Sequence, residues 1–273
     1  MTSLELKWLL TALLGGAGCG LAGFILVSMN LPFMGICLAH AALAGAVLSY
    51  FIHTPTLPTA LVAALLTAAL IGPLADKTRT HANTMMSILF SLTLGLAFLG
   101  IGLLQQQRSD VLSLMWGNLL LVRWVDLWPL GAAALLPLLL LSLLGKETKA
   151  VLFDREIARS SGIHATAIYY AMIAFCGLTV TVNLNVVGGL MLYSLLTNPA
   201  VAAFQLSSGY RSVIVLSMLL GTLSALGGLV VSFVLNWPAG ASIVLVSSLV
   251  YAISLTVAGL RSAPPWNREG PEP

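Results

Sequence analysis

The stretch Trp8 to Ser28, WLLTALLGGAGCGLAGFILVS, contains no charged side chain. About 20 largely apolar residues in a helix are enough to cross the hydrocarbon core of a bilayer. Reading outward, the pattern recurs as Gly35 to Ile52, Leu57 to Ala75, Thr84 to Leu104, Leu127 to Leu144, Ala165 to Val187, Gly188 to Phe204, Val213 to Leu235 and Ala241 to Leu260. Breakers fall where loops are needed, at Asn30 and Pro32, Pro55 and Pro58, Asp76 to Arg79, and Asn236 to Pro238. The runs on either side of Gly188-Gly189 are nearly continuous. The reading is therefore an all-α polytopic membrane helix bundle of eight or nine spans, one of them broken or tilted.

Composition agrees. The 273 residues are 59% hydrophobic and 8% charged, with a mean hydropathy of +1.00. A soluble domain carries about 25% charged residues, so lipid must solvate much of this surface. Little chain remains for a soluble domain. Residues 1–262 are expected to form one transmembrane domain, with a disordered cytoplasmic tail over 263–273. The first apolar run follows Glu5 and Lys7 without a clear cleavage site and reads as a retained span. The net charge of +3 gives no reason to expect a nucleic-acid partner. Cys19, Cys37 and Cys176 all lie inside apolar runs, which argues against a disulfide framework.

Charge orders the loops. Lys and Arg favour the cytoplasmic side. Basic residues gather at Lys77 and Arg79, at Lys146 to Arg159, at Arg211, and at Arg261 and Arg268. If nine spans alternate, all four sites share one side and the N-terminus lies outside. Small residues four apart, at Gly16 and Gly20, Ala41 and Gly45, Ser217 and Gly221, and Ser224 and Gly228, let helix backbones approach closely in lipid. Pro129, Pro137 and Pro199 lie in or beside spans, where they kink or interrupt helices. Between the fourth and fifth runs, the stretch Gln105 to Asp126 carries Arg108, Asp110, Arg123 and Asp126 around a short apolar core, and reads as a re-entrant or interfacial helix on the outer side.

One long polar interruption remains, Lys149 to Gly162, KAVLFDREIARSSG. Asp154 is a good N-cap, Glu156 complements the dipole in the first turn, and Gly162 is a suitable stop. Ile157 and Ala158 offer a small apolar face between Arg155 and Arg159. The expectation is a short capped helix, within about 150–163, able to dock as a rigid lever into another protein.

The segment Phe153 to Ile163, FDREIARSSGI, resembles the coupling-helix segment of the permeases of metal-ion ATP-binding cassette importers, which take up zinc, manganese or iron. The likeness rests on Phe153, Asp154, Glu156, Ala158, Gly162 and Ile163. Further stretches resemble the same family in order: FMGICLAHAALAG from Phe33, ILFSLTL from Ile88, WGNLLLVRWVDL from Trp116, VVGGLMLYSLLTNPA from Val186 and NWPAGASIVLV from Asn236. The resemblance implies a permease in a prokaryotic cell membrane, paired with a second copy of itself. It further implies a cytoplasmic ATP-binding subunit, an external metal-binding protein that delivers the ion, and alternating access driven by ATP. No permanently bound cofactor is expected; the metal ion is cargo, and ATP belongs to the partner. The chain has no G-x-x-x-x-G-K-[S/T] phosphate loop, since Gly145-Lys146 runs into Glu147 and lacks the upstream glycine.

Polar groups inside spans are expensive and are functional candidates. His40 is the first, because neutral imidazole binds borderline metals. Cys37 precedes it by three residues, hence on the same helix face. A thiolate–imidazole pair suits zinc or its neighbours better than magnesium or calcium. Many members of the family carry an Asp where this chain has Ile36, and often an acid near Asn83. Asn83, Asn118, Asn183 and Asn198 are further pathway candidates. Two other readings compete. A stand-alone secondary transporter would place ionisable residues within its spans, and apart from His40 there are almost none. An embedded metalloprotease would need a cluster such as H-E-x-x-H, which is absent. An ABC permease for a non-metal solute is the remaining alternative.

Overall fold

The computed structural model describes residues 3–104, 111, 114–115, 117, 122–189 and 192–260. Among these residues the regular structure is helical: α1 (Ser3–Ser28), α2 (Met34–Ile52), α3 (Thr56–Thr78), α4 (Ala82–Leu103), α5 (Leu127–Leu143), α6 (Gly145–Phe153), α7 (Arg155–Ser160), α8 (Ala165–Val187), α9 (Leu192–Leu206), α10 (Tyr210–Leu235) and α11 (Ala239–Leu260). Eight are long and apolar enough to cross a membrane. The remaining run of the sequence, Gly188 to Phe204, becomes α9, whose 15 residues reach only about 22 Å at about 1.5 Å per residue, short of a full span. It is a central, largely buried half-helix.

The break between α8 and α9 has a local cause. Gly188 adopts φ 93° and ends α8, and the Gly189 amide donates to the Leu114 carbonyl at 3.0 Å. Gly117, at φ 71°, lies against Val187 and Gly188 so closely that a Cβ there would collide with their backbone. A short described part of the loop between α4 and α5 thus seals the interrupted helix, as irregular backbone at membrane depth requires. Of the expected interfacial helix, the end is described as a single 3-10 turn, Trp124–Asp126, with Arg123 paired to Asp126 at 3.3 Å; Arg108, Asp110 and Asn118 lie outside the described residues, as do 263–273.

Small residues set the packing. α1 runs along α10, where Gly16 meets Gly221, Thr222 and Ala225, and Gly20 meets the Ser217 carbonyl. Gly23 abuts the Leu196 carbonyl of α9. Gly45 lies against Thr59, Ala60 and Ala63 of α3, and Gly228 against Ile243 of α11. Lipid tails supply no hydrophobic drive between helices, so close backbone approach and dispersion must hold them. α1 and α2 form the core, while α4 and α11 expose long apolar faces such as Leu92, Leu96 and Leu99, or Leu245, Leu249 and Ile253.

The basic loops share one end of the bundle. Ser28 at the foot of α1, Lys146 and Lys149 of α6, Phe153, Ile157 of α7, and Ser208 to Tyr210 ahead of α10 line one groove there. At the opposite end, a cavity of about 670 Å³ opens between Tyr50, Pro55 to Leu57, Arg123, Asp126, Trp128 and, from α8, Val182 and Val186.

Candidate functional site: a capped lever and an intramembrane histidine

At the basic end the expected segment 150–163 divides at Asp154. Residues up to Phe153 complete α6, and α7 begins afresh at Arg155. The reason lies in the cap itself. Asp154 accepts from the Glu156 and Ile157 amides at 2.8 and 2.9 Å, which holds its own backbone extended at φ −157°, ψ 116°. An N-cap with extended backbone cannot also continue the helix before it. At the far end Gly162 takes φ 81° and its amide donates to the Arg159 carbonyl at 3.1 Å, while the Ile163 amide reaches the Ala158 carbonyl. α7 is therefore a short, doubly capped rod.

Its side chains sort by face. Ala158 is buried against the bundle, whereas Ile157 is 59% exposed, as is Phe153 at the end of α6, at 86%. Glu156 and Arg159 are exposed beside them. Arg155 turns back to the bundle: its guanidinium lies 4.4 Å from the ring centre of Tyr169 and donates to the Thr166 hydroxyl at 3.3 Å. α6 is tied separately, through the buried Thr148 hydroxyl 3.0 Å from that of Tyr210. Tyr210 in turn packs edge-on against Phe24 of α1.

Inside the bundle, His40 is 3% exposed on α2. Its Nδ1 lies 3.0 Å from the Ile36 carbonyl, one turn back. A carbonyl only accepts, so Nδ1 carries the hydrogen and the neutral ring keeps its Nε2 lone pair, the arrangement a metal-ligating imidazole requires. The Phe90 ring of α4 stands edge-on to it at 4.8 Å. Cys37 is fully buried on the same helix. Among the described residues no three His, Cys, Asp or Glu side chains come together, and none of the described acids joins His40 and Cys37.

The asparagines separate into different environments. Asn183 is buried in α8; its amide nitrogen donates to the Thr179 carbonyl at 2.9 Å, and its Oδ1, without a hydrogen-bond partner, faces Gly15 of α1. Asn198 donates to the hydroxyls of Ser194, Ser247 and Ser248 at 2.9, 3.2 and 3.1 Å, joining α9 to α11. Asn83 is exposed at the start of α4, above Ser87 and Ser91, which repeat at one-turn spacing on the same exposed face. Asn118 lies outside the described residues. Sequence reading did not single out the Arg155–Tyr169 stack or the Thr148–Tyr210 bond, because both join residues on different helices.

Spans built on close glycine contacts, an interrupted half-helix at their centre and an exposed apolar lever on the basic end define a multi-pass membrane transport protein. Residues 2–258 match the ABC 3 transport family, and the chain belongs to it as a membrane permease of the prokaryotic cell membrane. It is 28% identical to the manganese transport system membrane protein MntC of Halalkalibacterium halodurans, covering 90% of this chain and 84% of that one. It is 27% identical to the high-affinity zinc uptake system membrane protein ZnuB of Haemophilus influenzae, over 85% of this chain and 89% of that one. Among solved structures, PsaBC from Streptococcus pneumoniae in complex with Fab superposes with a TM-score of 0.85 at 25% identity, covering 98% of this chain and 95% of that chain.

Proposed function

We propose that this chain forms the pathway for uptake of a divalent transition-metal ion, as a homodimer driven by a separate ATP-binding subunit. The observation that carries the proposal is α7, a doubly capped helix presenting Ile157 outward beside Phe153, the last residue of α6, on the basic, hence cytoplasmic, end. Large apolar side chains left exposed outside the lipid mark a surface meant for a protein partner. The sequence carries no phosphate loop of its own. ATP binding and hydrolysis in the partner move α7, and α7 switches the bundle between outward and inward openings.

The manganese and zinc systems among the relatives support a metal as cargo. His40, with Nε2 free, is the residue on which we place the passing ion, with Cys37 a softer neighbour. Ile36 supplies only its carbonyl to hold the ring. A single imidazole leaves most of a metal's coordination to water, backbone or the second copy, and so suits transit rather than storage. The second copy is placed against the α4 face bearing Asn83, Ser87 and Ser91, because lipid is a poor solvent for that polar stripe. The cavity beside Arg123, Asp126 and Val186 faces outside, where a metal-binding protein delivers the ion.

Co-purification tests the assembly. The tagged chain should bring down an ATP-binding subunit and a second, differently tagged copy of itself. Uptake of metal by the purified chain alone, without ATP, would overturn the proposal.

A further inference from the structure

We infer that Arg155 is a positioning residue that grips α8, so that movement of α7 enters the bundle instead of being absorbed in the flanking turns; this rests on the permease reading above. α7 is short and bounded by two turns, at Asp154 and at Gly162. α7 packs against α6 and α8, but a short rod with a turn at each end needs side-chain contacts to hold its angle to them. Ala158 contributes only a methyl group to the bundle. Arg155 contributes the grip. Its guanidinium carbon lies 4.4 Å from the centre of the Tyr169 ring and 6.0 Å from that of Tyr170, and Nη2 is 3.3 Å from the Thr166 hydroxyl. Among the described residues it makes no ion pair with a carboxylate. A planar, weakly hydrated guanidinium suits aromatic faces in a way a lysine ammonium does not.

The path continues beyond the stack. The Tyr169 and Tyr170 rings meet edge-on, 5.6 Å apart at 89°. The Tyr170 hydroxyl reaches α3, where a Cβ on Gly72 would lie 3.2 Å from it. α6, by contrast, is tied through Thr148 and Tyr210 to α10 and α1. The polar segment therefore meets two groups of spans, α1 with α10 at Thr148 and α3 with α8 at Arg155, the second group also through direct packing of α6 on α8. A push on Phe153 and Ile157 changes the separation of these groups only while both attachments hold. Between the groups lies the α1–α8 contact, where the Asn183 oxygen faces Gly15.

The test measures manganese(II) or zinc(II) delivered per ATP hydrolysed, in proteoliposomes holding the full complex with its ATP-binding subunit and metal-loaded binding protein. Arg155→Gln and Tyr169→Leu should each lower that ratio about two- to fivefold, the ratio a partly exposed cation–π contact supports, with hydrolysis and subunit co-purification unchanged. Tyr169→Phe should keep the wild-type ratio and Arg155→Lys should fall between. The double variant should be no worse than either single one, since both remove one contact. Arg155 is exposed, so its substitution spares the fold and decides the matter even if Tyr169→Leu does not assemble. A wild-type ratio in Arg155→Gln overturns the inference alone. So does loss of the ATP-binding subunit in Arg155→Gln but not in Tyr169→Leu, which would make Arg155 a docking residue. Absence of ATP-driven uptake by the wild-type complex overturns the permease reading, and the grip with it.

Discussion

The helix α7 and the span α2 break the same rule in opposite directions. α7 exposes Ile157, next to Phe153 at the end of α6, apolar side chains that folding would ordinarily bury, while α2 buries His40, a side chain that water would ordinarily solvate. The fold of the chain explains neither. In the proposed function the exposed apolar pair is assigned to a second protein, and the buried imidazole with a free Nε2 to a passing cation. The two regions differ in how they are held. α7 rests on a side-chain cap and one stacked guanidinium, whereas α2 is clasped by α3 along Gly45 and by α4 at Phe90. On the proposed function, the segment that meets the partner is the lightly held one, and the segment that meets the ion the clasped one.

The comparison can be broken most severely at α2. Gly45→Leu would drive a side chain into Thr59, Ala60 and Ala63, the first of these through its backbone carbonyl. Overpacking costs about 1–3 kcal/mol and more against backbone, so the melting temperature in detergent should collapse and little folded protein should be recovered. His40→Ala should lower metal uptake roughly tenfold or more, the scale of losing a group that governs metal affinity, while lowering the melting temperature far less than Gly45→Leu, since it only opens a cavity beside Phe90. Cys37→Ser should lower uptake far less. Equal wild-type uptake in both would remove the metal from α2.

At α7 the expected effects separate docking from folding. Ile157→Asp places a charge where about 1.5–3 kcal/mol of side-chain burial is expected on association. Binding of the ATP-binding subunit should weaken at least tenfold, while the isolated chain melts as before; a melting shift without a binding change would make Ile157 a structural residue. Asp154→Ala has the smallest effect. It removes a cap worth about 1 kcal/mol, so hydrogen exchange of the Ile157 and Ala158 amides should quicken about fivefold, with Asp154→Asn near wild type. Unchanged exchange would show that the cap does not hold the lever.

How much of this was legible in the sequence varies by region. The spans were, because uncharged runs of bilayer length have few other uses, and the Gly188-Gly189 interruption was visible as near-continuity between two of them. That α9 is a half-helix was not, since its length is set by the docking of Leu114 and Gly117 on the break. Asp154 and Gly162 were legible as caps because capping is local. The division of 150–163 into two helices was missed, although the same cap requires it. Small-residue spacing announced close packing at Gly16, Gly20, Gly45 and Gly228 but not the partners, which are fixed by tertiary structure. Arg155 carried no signal beyond its charge, since Tyr169 becomes its neighbour only when the chain turns back at Gly162. His40 was legible as a misplaced polar group; its tautomer, set by the Ile36 carbonyl, needed the structure.

The central claim is ATP-driven inward movement of a metal ion through this chain. The direct test seals ATP inside right-side-out proteoliposomes holding the chain with its ATP-binding subunit, and supplies manganese(II) or zinc(II) on the binding protein outside. The account predicts accumulation of metal inside that stops when ATP is replaced by a non-hydrolysable analogue. Accumulation that persists with the analogue, or hydrolysis that moves no metal of either kind, would contradict it.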